Sequence, residues 1–175
     1  MNLLLDRMQS PLGVILLVHD AGGSLRSLDF EDFEVRMRQL LRLHYGRVEL
    51  AAAPAPDAVT APLHAYFAGS YGALESVPTE TAGTPFQRSV WAALRMIPPG
   101  STVSYGALAS TIGRPGAFRA VGLANGANPL TIVVPCHRVI GAGRALTGFG
   151  GGLHRKRWLL EHEGVLVEDG QRAMI

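Results

Sequence analysis

Cys136 is the single cysteine of this 175-residue chain, and it stands directly before His137 and Arg138. A lone cysteine is most often a small buried apolar residue without chemistry. An adjacent imidazole and guanidinium, however, favour the thiolate, which is the nucleophilic form of the side chain. Farther along, the segment Glu161-His-Glu163 supplies carboxylates that can orient a histidine acting as a base. These residue types predict an activated thiol nucleophile.

The residues before Cys136 indicate which element holds it. Leu130–Val134 is a short apolar run followed by Pro135, which predicts a buried strand that ends at the cysteine. Because adjacent side chains on a strand point to opposite faces, we expect His137 to reach Cys136 through an intervening water.

The composition excludes several classes of protein. One cysteine permits neither an internal disulfide nor a cysteine-based zinc cluster, and three histidines lack a partner at ligand spacing: His19, His44 and His64. We therefore expect no metal and no cofactor. No apolar run approaches the roughly 20 residues that span a bilayer. The opening residues also lack the basic start of a signal peptide, so we expect a cytoplasmic protein without membrane contact.

Charge is divided unevenly along the chain. Residues 1–81 hold six arginines against ten acidic residues, a net charge of −4, whereas residues 82–175 hold ten basic residues against four acidic ones, a net charge of +6. We interpret residues 1–81 as a scaffold domain, residues 82–166 as the functional domain and residues 167–175 as a tail. A basic half beside an acidic one indicates a face that meets an anion, most commonly nucleic acid, although a chance imbalance is an equal alternative.

The first half of the chain has the pattern of a small α+β unit. Short apolar runs at Leu3–Leu5 and Val14–Val18, separated by turn residues from the next run, predict an antiparallel meander. The spacing of apolar residues predicts a helix over Glu31–His44 and a shorter one over Val59–Phe67. The residues between these helices, 51–56, are rich in alanine and proline and are expected to form an exposed link.

The second half predicts three helices with defined starts. Thr84 caps the first, Ser104 caps the second, and the third runs over Ala117–Ala127. The last two helices and the glycine-containing turn between them form a helix-turn-helix pattern. The third helix is rich in small residues, which favours close approach to the minor groove of DNA over reading of base edges in the major groove. Tight packing between helices is the alternative explanation.

The segment Pro135-Cys-His-Arg-Val-Ile140 closely resembles the active-site motif of the O6-alkylguanine-DNA alkyltransferases, also called methylated-DNA–protein-cysteine methyltransferases. Other segments resemble blocks of the same family in the same order: Gly83–Trp91, Ser104–Gly106, Arg119–Gly122, Asn128-Pro129, Thr147–Gly152 and Trp158–Gly164. Together they cover residues 83–164. The resemblance implies an α+β fold, in which a small N-terminal antiparallel-sheet domain, RNase H-like, precedes a mostly helical C-terminal domain with the helix-turn-helix.

The resemblance implies direct-reversal DNA repair. The alkyl group of O6-alkylguanine, and of O4-alkylthymine, would pass irreversibly from a flipped base in duplex DNA to Cys136, so that one protein repairs one lesion. Cys136 matches the nucleophile, His137 the base that works through a water, and Glu163 the carboxylate that orients the histidine. The protein would be a suicide methyltransferase, a monomer able to cluster on DNA.

Other motif positions have further roles by resemblance. Asn128 matches the asparagine that fixes the backbone between the recognition helix and the active-site loop. Tyr105 matches the tyrosine that contacts the guanine and a phosphate and protonates the departing purine. Arg119 matches the arginine that enters the base stack through the minor groove. The remaining expected contacts are with DNA at Ala117, Phe118, Ala120, Gly122 and Asn125, and with the substrate at Val139, Phe149 and Gly150.

Two positions depart from the family pattern, and three other functions remain open. Phe149 stands where the family usually has a tyrosine, which puts substrate preference in question, and Phe118 stands where a small residue is usual. The alternatives are a damage-binding module without transfer, a thiol hydrolase and a plain helix-turn-helix regulator. Cys136 argues against the first, Arg119 against the second, and the Cys136-His137 pair against the third.

Overall fold

The computed structural model describes residues 1–141, 143, 145–168 and 172–174, and the chain separates into two units. The first consists of Met1–Gly83 with Pro129–Val133, and the second of Thr84–Asn128 with Val134–Ile175. The first unit therefore includes a short segment from the half of the chain that was interpreted as the functional domain. Part of the expected tail over 167–175, namely residues 169–171 and 175, lies outside the described residues.

Three antiparallel strands open the first unit: β1 (Asn2–Ser10), β2 (Gly13–His19) and β3 (Leu25–Phe30). The side chains of Ile15–Val18 in β2 are all fully buried. A continuous apolar run of this length is typical of a strand that is covered on both faces. The predicted meander is confirmed.

A fourth strand makes the sheet mixed. Helix α1 (Glu34–Tyr45) leads to β4 (Glu49–Ala52), which pairs parallel to β1 and gives the strand order β3-β2-β1-β4. A parallel pair needs such a crossover connection. The expectation of an exposed link over 51–56 is thus wrong for residues 51–52, which complete the sheet, and the sheet is not purely antiparallel. Helix α2 (Asp57–Phe67) follows.

The apolar segment before the cysteine is buried but is not a strand. Leu28 of β3 donates its N–H to the carbonyl of Pro129 and accepts from Thr131 N–H, at 2.9 and 3.2 Å, which makes a single bridge. The next residue, Ile132, has a φ of 75°, a left-handed conformation that is strained for a β-branched side chain. That turn ends the pairing, so the strand predicted over Leu130–Val134 is wrong.

The second unit is mostly helical, as expected. Its helices are α3 (Pro85–Arg95), α4 (Tyr105–Thr111), α5 (Phe118–Gly126) and α6 (Leu153–His162). Its strands form two small pairs, β5 (Val103–Ser104) parallel to β6 (Val139–Ile140) and β7 (Leu166–Glu168) antiparallel to β8 (Arg172–Met174). The α+β class is confirmed.

Side-chain caps determine where α3 and α4 begin. Thr84 Oγ1 accepts from the N–H of Gln87 at 3.1 Å, and Gln87 Oε1 accepts from the N–H of Thr84 at 3.0 Å, which is a complete capping box. Ser104 Oγ accepts from the N–H of Ala107 at 3.0 Å. Both caps predicted from the sequence are confirmed.

Helices α4 and α5 form the helix-turn-helix and pack against α3. Trp91 of α3 donates its indole N–H to the carbonyl of Ala124 at 2.9 Å. Ala124 is buried in α5, whereas Ala120 and Leu123 of the same helix are exposed. The small residues of α5 therefore serve helix packing on one side and leave an open backbone on the other.

Candidate active site

Cys136 begins a turn of 3₁₀ helix, Cys136–Arg138, instead of ending a strand. Pro135, with φ −80° and ψ 64°, forms the centre of an inverse γ-turn in which Cys136 N–H donates to the carbonyl of Val134 at 2.7 Å. The proline ring holds that φ. The alternation expected for a strand therefore does not govern how Cys136 and His137 are oriented, because a 3₁₀ helix turns about 120° per residue.

Asn128 is tied to the same backbone position. Its side chain is 1% exposed and its Nδ2 donates to the carbonyl of Val134 at 2.8 Å. One carbonyl thus accepts from Asn128 and from the N–H of Cys136. The asparagine binds together the two ends of the segment 129–133, which is the position expected of a residue that fixes the backbone at the nucleophile.

His137 is fully buried and paired with Glu163. Its Nε2–H donates to Glu163 Oε2 at 2.7 Å and Oε1 at 3.0 Å. Nδ1 is buried as well and has no hydrogen-bond partner among the described residues. Burial lowers the pKa of His137 below its usual value and outweighs the opposing effect of Glu163. The ring is therefore a neutral imidazole near neutral pH, with its lone pair on Nδ1.

Arg138 holds the other side of the Glu163 carboxylate. Arg138 Nε donates to Oε1 at 2.8 Å, one terminal nitrogen donates to Oε1 as well, and the other donates to the carbonyl of Ile97 at 2.6 Å. Burial alone would raise the pKa of Glu163, but His137 and Arg138 outweigh it and lower the pKa to about 2. Sequence reasoning assigned Arg138 to the thiolate and did not anticipate its bond to Glu163.

Lys156 is a second residue that the sequence did not single out. It is 0% exposed, and its Nζ donates to the carbonyls of Val139 and Thr147, both at 2.6 Å. Burial lowers the pKa of Lys156 from 10.5 to about 8. Its helical spacing from Leu159 and Glu163, which are both buried, was the available signal, since residues i, i+3 and i+7 share one face.

Tyr105 lies beside the glycine-rich loop. The tyrosine, at the start of α4, is half-buried, and its hydroxyl oxygen accepts from Thr147 Oγ1 at 3.2 Å. Gly148 has a φ of 37°, and a Cβ there would lie 3.9 Å from the same hydroxyl. Phe149 and Gly150 are half-buried in this loop. Val139, the remaining expected pocket residue, is fully buried and contributes its carbonyl to Lys156.

The residues that are expected to contact DNA differ in their exposure to solvent. Arg119, Ala120 and Phe118 are exposed, Phe118 by 50%, and the Arg119 guanidinium lies 6.0 Å from the Phe118 ring centroid. Ala117 and Gly122 are half-buried.

Asn125 is only 4% exposed, on the buried face of α5. The periodicity of the helix turns this side chain inward, and the expected contact of Asn125 with DNA stays a prediction. Leu123, 78% exposed, is the residue of α5 that sequence reasoning missed.

Among the described residues, no group of three or more His, Cys, Asp and Glu side chains is placed to hold a metal ion. Within the same part of the chain, no helix is both long and apolar enough to cross a membrane.

Comparisons with known proteins match both halves of the chain. Residues 85–165 match the family model described as 6-O-methylguanine DNA methyltransferase, DNA binding domain. The methylated-DNA–protein-cysteine methyltransferase of Salmonella typhimurium is 50% identical over 169 residues, which cover 95% of this chain and 99% of that protein. The protein of the same name from Mycobacterium bovis is 60% identical over 101 residues, 58% of this chain and 61% of that protein.

Solved structures are similar over nearly the whole length. Mycobacterium tuberculosis OGT in complex with DNA superposes with a TM-score of 0.75 at 41% identity and covers 93% of this chain and 92% of its own. The O6-methylguanine-DNA methyltransferase of the hyperthermophilic archaeon Pyrococcus kodakaraensis gives a TM-score of 0.72 at 25% identity, over 93% and 99% of the two chains.

Proposed function

The chain belongs to the methylated-DNA–protein-cysteine methyltransferase family, and we propose that Cys136 is the residue that accepts the alkyl group. The protein repairs DNA by moving an alkyl group from an alkylated base to its own cysteine. The observation that carries the assignment to Cys136 is its position beside a buried His137–Glu163 pair. A neutral imidazole held by a carboxylate is the arrangement that activates a nucleophile.

The transfer is a displacement at the alkyl carbon. A bond forms between Cys136 Sγ and that carbon while the bond from the carbon to guanine O6 breaks, and the released electron pair stays on the purine. The thiol proton leaves through a water to His137 Nδ1, whose lone pair has no partner among the described residues. The thioether product has no leaving group, so each protein acts once.

Tyr105 supplies the proton that the departing guanine needs. A free purine anion is a poor leaving group, and a hydrogen-bonded phenol can neutralise it as the bond breaks. The contact of the Tyr105 hydroxyl with Thr147 at 3.2 Å supports a fixed position for this donor beside the glycine-rich loop. The thiol proton that His137 accepts passes on to solvent before the transfer, and the tyrosine afterwards regains its proton from solvent. The net reaction therefore still moves one proton from the thiol to guanine.

We place the DNA surface on α5, in the minor groove. The target base must leave the stack, which takes a few kcal/mol, and an inserted side chain offsets part of that. Arg119 and Phe118 are exposed side by side at the start of α5 and suit this insertion. Ala120 and Gly122 let the helix backbone approach the sugar-phosphate wall. We further propose a cytoplasmic monomer that can cluster on DNA and also accepts O4-alkylthymine.

Transfer of radiolabelled methyl from an O6-methylguanine duplex tests the assignment. Label should appear on the intact protein and be absent with Cys136→Ser, which keeps the size of the side chain but removes the thiol. Label released as methanol would indicate a hydrolase instead. Tight duplex binding without any transfer by the wild-type chain would indicate a damage-binding module.

A further inference from the structure

Lys156 is a buried cation without a carboxylate partner. Its side chain is 0% exposed, and the two acceptors of its Nζ, the carbonyls of Val139 and Thr147, are neutral. Among the described residues, no Asp or Glu forms an ion pair with it, since the buried Glu163 is paired with His137 and Arg138. An ammonium group removed from water without a nearby negative charge is strongly disfavoured.

Among the groups around Cys136, only one is a candidate for the negative charge that would pair with the Lys156 ammonium. Arg138 neutralises Glu163, and His137 is neutral, so these three side chains together carry no net charge. The positive charge of Lys156 disfavours protonation of His137. Lys156 Nζ donates to the carbonyl of Val139, the residue that directly follows the turn Cys136–Arg138, so the ammonium is bound to the backbone next to the turn that holds the cysteine. A negative sulfur at Cys136 favours the charged ammonium. The thiolate of Cys136 is therefore the anion that the buried ammonium lacks.

We propose that Lys156 is the counter-charge of the Cys136 thiolate, so that the resting site holds an ammonium and a thiolate beside a neutral His137. This inference rests on the proposed function and deepens it. His137 is the route by which the thiol proton leaves, and Lys156 is the charge that keeps the proton from returning. Lys156 is thus an electrostatic support for the nucleophile, fixed by its two carbonyl acceptors.

The single cysteine makes the test direct, because every thiol adduct reports on Cys136. The rate of alkylation by iodoacetamide is measured on the full chain from about pH 5 to about pH 10, which gives the thiol pKa. We expect a wild-type value below about 8.5, and Lys156→Met to raise it by about one unit or more and slow alkylation about tenfold near neutral pH. Lys156→Arg should keep most of the effect, because it keeps the charge.

Arg155→Met is the matched control. Arg155 is also a buried cation of α6, but it donates to the carbonyl of Gly151, and its loss should leave the thiol pKa unchanged. Circular dichroism and thermal unfolding establish that each variant is folded. A wild-type thiol pKa near 8.5, or an equal pKa in wild type and folded Lys156→Met, overturns the proposal.

A second variant covers the case in which Lys156→Met does not fold. With His137→Gln the ammonium remains, so the thiol pKa should stay within about half a unit of wild type. A rise of the thiol pKa to the value of an ordinary cysteine would show that the imidazole, and not the ammonium, stabilises the thiolate, and would overturn the proposal. Methyl transfer from DNA by the wild-type chain is scored separately. Its loss counts against the proposed function, whereas an unmoved thiol pKa with intact transfer counts only against the role of Lys156.

Discussion

At the scale of single residues, the Glu163 carboxylate joins the chemistry to the stability of the site. It accepts from His137 on one side and from Arg138 on the other, and all three side chains are buried. A buried carboxylate with two partners orients the imidazole and cancels the guanidinium charge. Removing one member therefore affects the other two.

Glu163→Gln should lower the free energy of unfolding by about 3–5 kcal/mol, because it leaves the Arg138 charge buried without a partner. Urea denaturation near neutral pH measures this loss. The double variant Glu163→Gln/Arg138→Met removes the stranded charge and should recover part of it. A double variant whose loss equals the sum of the two single losses would show that the pair is not coupled.

Acid should weaken the protein through the same carboxylate. The pKa of Glu163 is about 2 in the folded chain against an ordinary value of 4.5, so the unfolded chain binds more protons between these two values. The stabilisation is complete above the higher pH and is lost as the pH falls through the lower, about 3 kcal/mol in all.

Urea denaturation of wild type and Glu163→Gln at successive pH values checks this. Their difference in stability should shrink as the pH falls. The exposed Glu75→Gln serves as the control and should follow wild type throughout. A difference that stays constant down to the lowest pH would contradict the stated pKa.

Residue types alone identified part of the site and missed the rest for a physical reason. Cys136, His137 and Glu163 carry nucleophile and base chemistry, which side-chain type and motif reveal. The roles of Arg138 and Lys156 depend on burial and on which acceptors they reach. Both belong to basic stretches of sequence that are usually solvated, so their pattern does not distinguish a buried charge from a surface one.

At the scale of elements, helix-capping residues predicted backbone structure better than apolar runs did. The caps at Thr84 and Ser104 act locally, through hydrogen bonds to residues three positions on, and therefore the helix starts could be predicted. The segment Leu130–Val134 depends on a distant partner, Leu28, and on the left-handed Ile132. Burial of that run was predictable, but its backbone conformation was not.

The proposed role of Arg119, on helix α5, in base flipping can be tested by substitution. Arg119→Ala should slow repair of O6-methylguanine in duplex DNA about tenfold or more, because nothing then replaces the flipped base in the stack. Reaction with free O6-benzylguanine, which needs no flipping, should change little. Single-turnover rates with both substrates measure this.

Arg47→Ala is the control for this comparison, since Arg47 is an exposed arginine of the first unit, 90% exposed. It should leave both rates near wild type. Equal slowing of the duplex and free-base reactions by Arg119→Ala would remove the flipping role.

At the scale of the whole molecule, the net charge counted from the sequence overstates the positive charge that is accessible to DNA. The second half carries +6 by sequence, but Arg138, Arg155 and Lys156 of its ten basic residues are buried. These three cations donate hydrogen bonds inside the second unit, Arg138 to Glu163, and Arg155 and Lys156 to backbone carbonyls. The charge asymmetry indicated an anionic partner, and the cations that can pair with phosphates are those that lie exposed.

Salt dependence of duplex binding tests this distinction. Affinity should fall as salt rises. Arg114 is exposed in the turn between α4 and α5, and we predict that it meets a phosphate, so Arg114→Ala should reduce the logarithmic slope by about one. Arg155→Met should leave the slope unchanged, because that cation is buried. A slope that does not respond to Arg114→Ala places that residue outside the interface.

The stoichiometry of methyl transfer tests the central claim most directly. The chain is incubated with an excess of O6-methylguanine duplex until transfer stops. The mass of the tryptic peptide that contains Cys136 is then measured by mass spectrometry. We expect one methyl group for each chain, all of it on Cys136, and no further transfer from fresh DNA. Methyl found on another residue, or continued turnover by chains whose Cys136 stays unmodified, would contradict it.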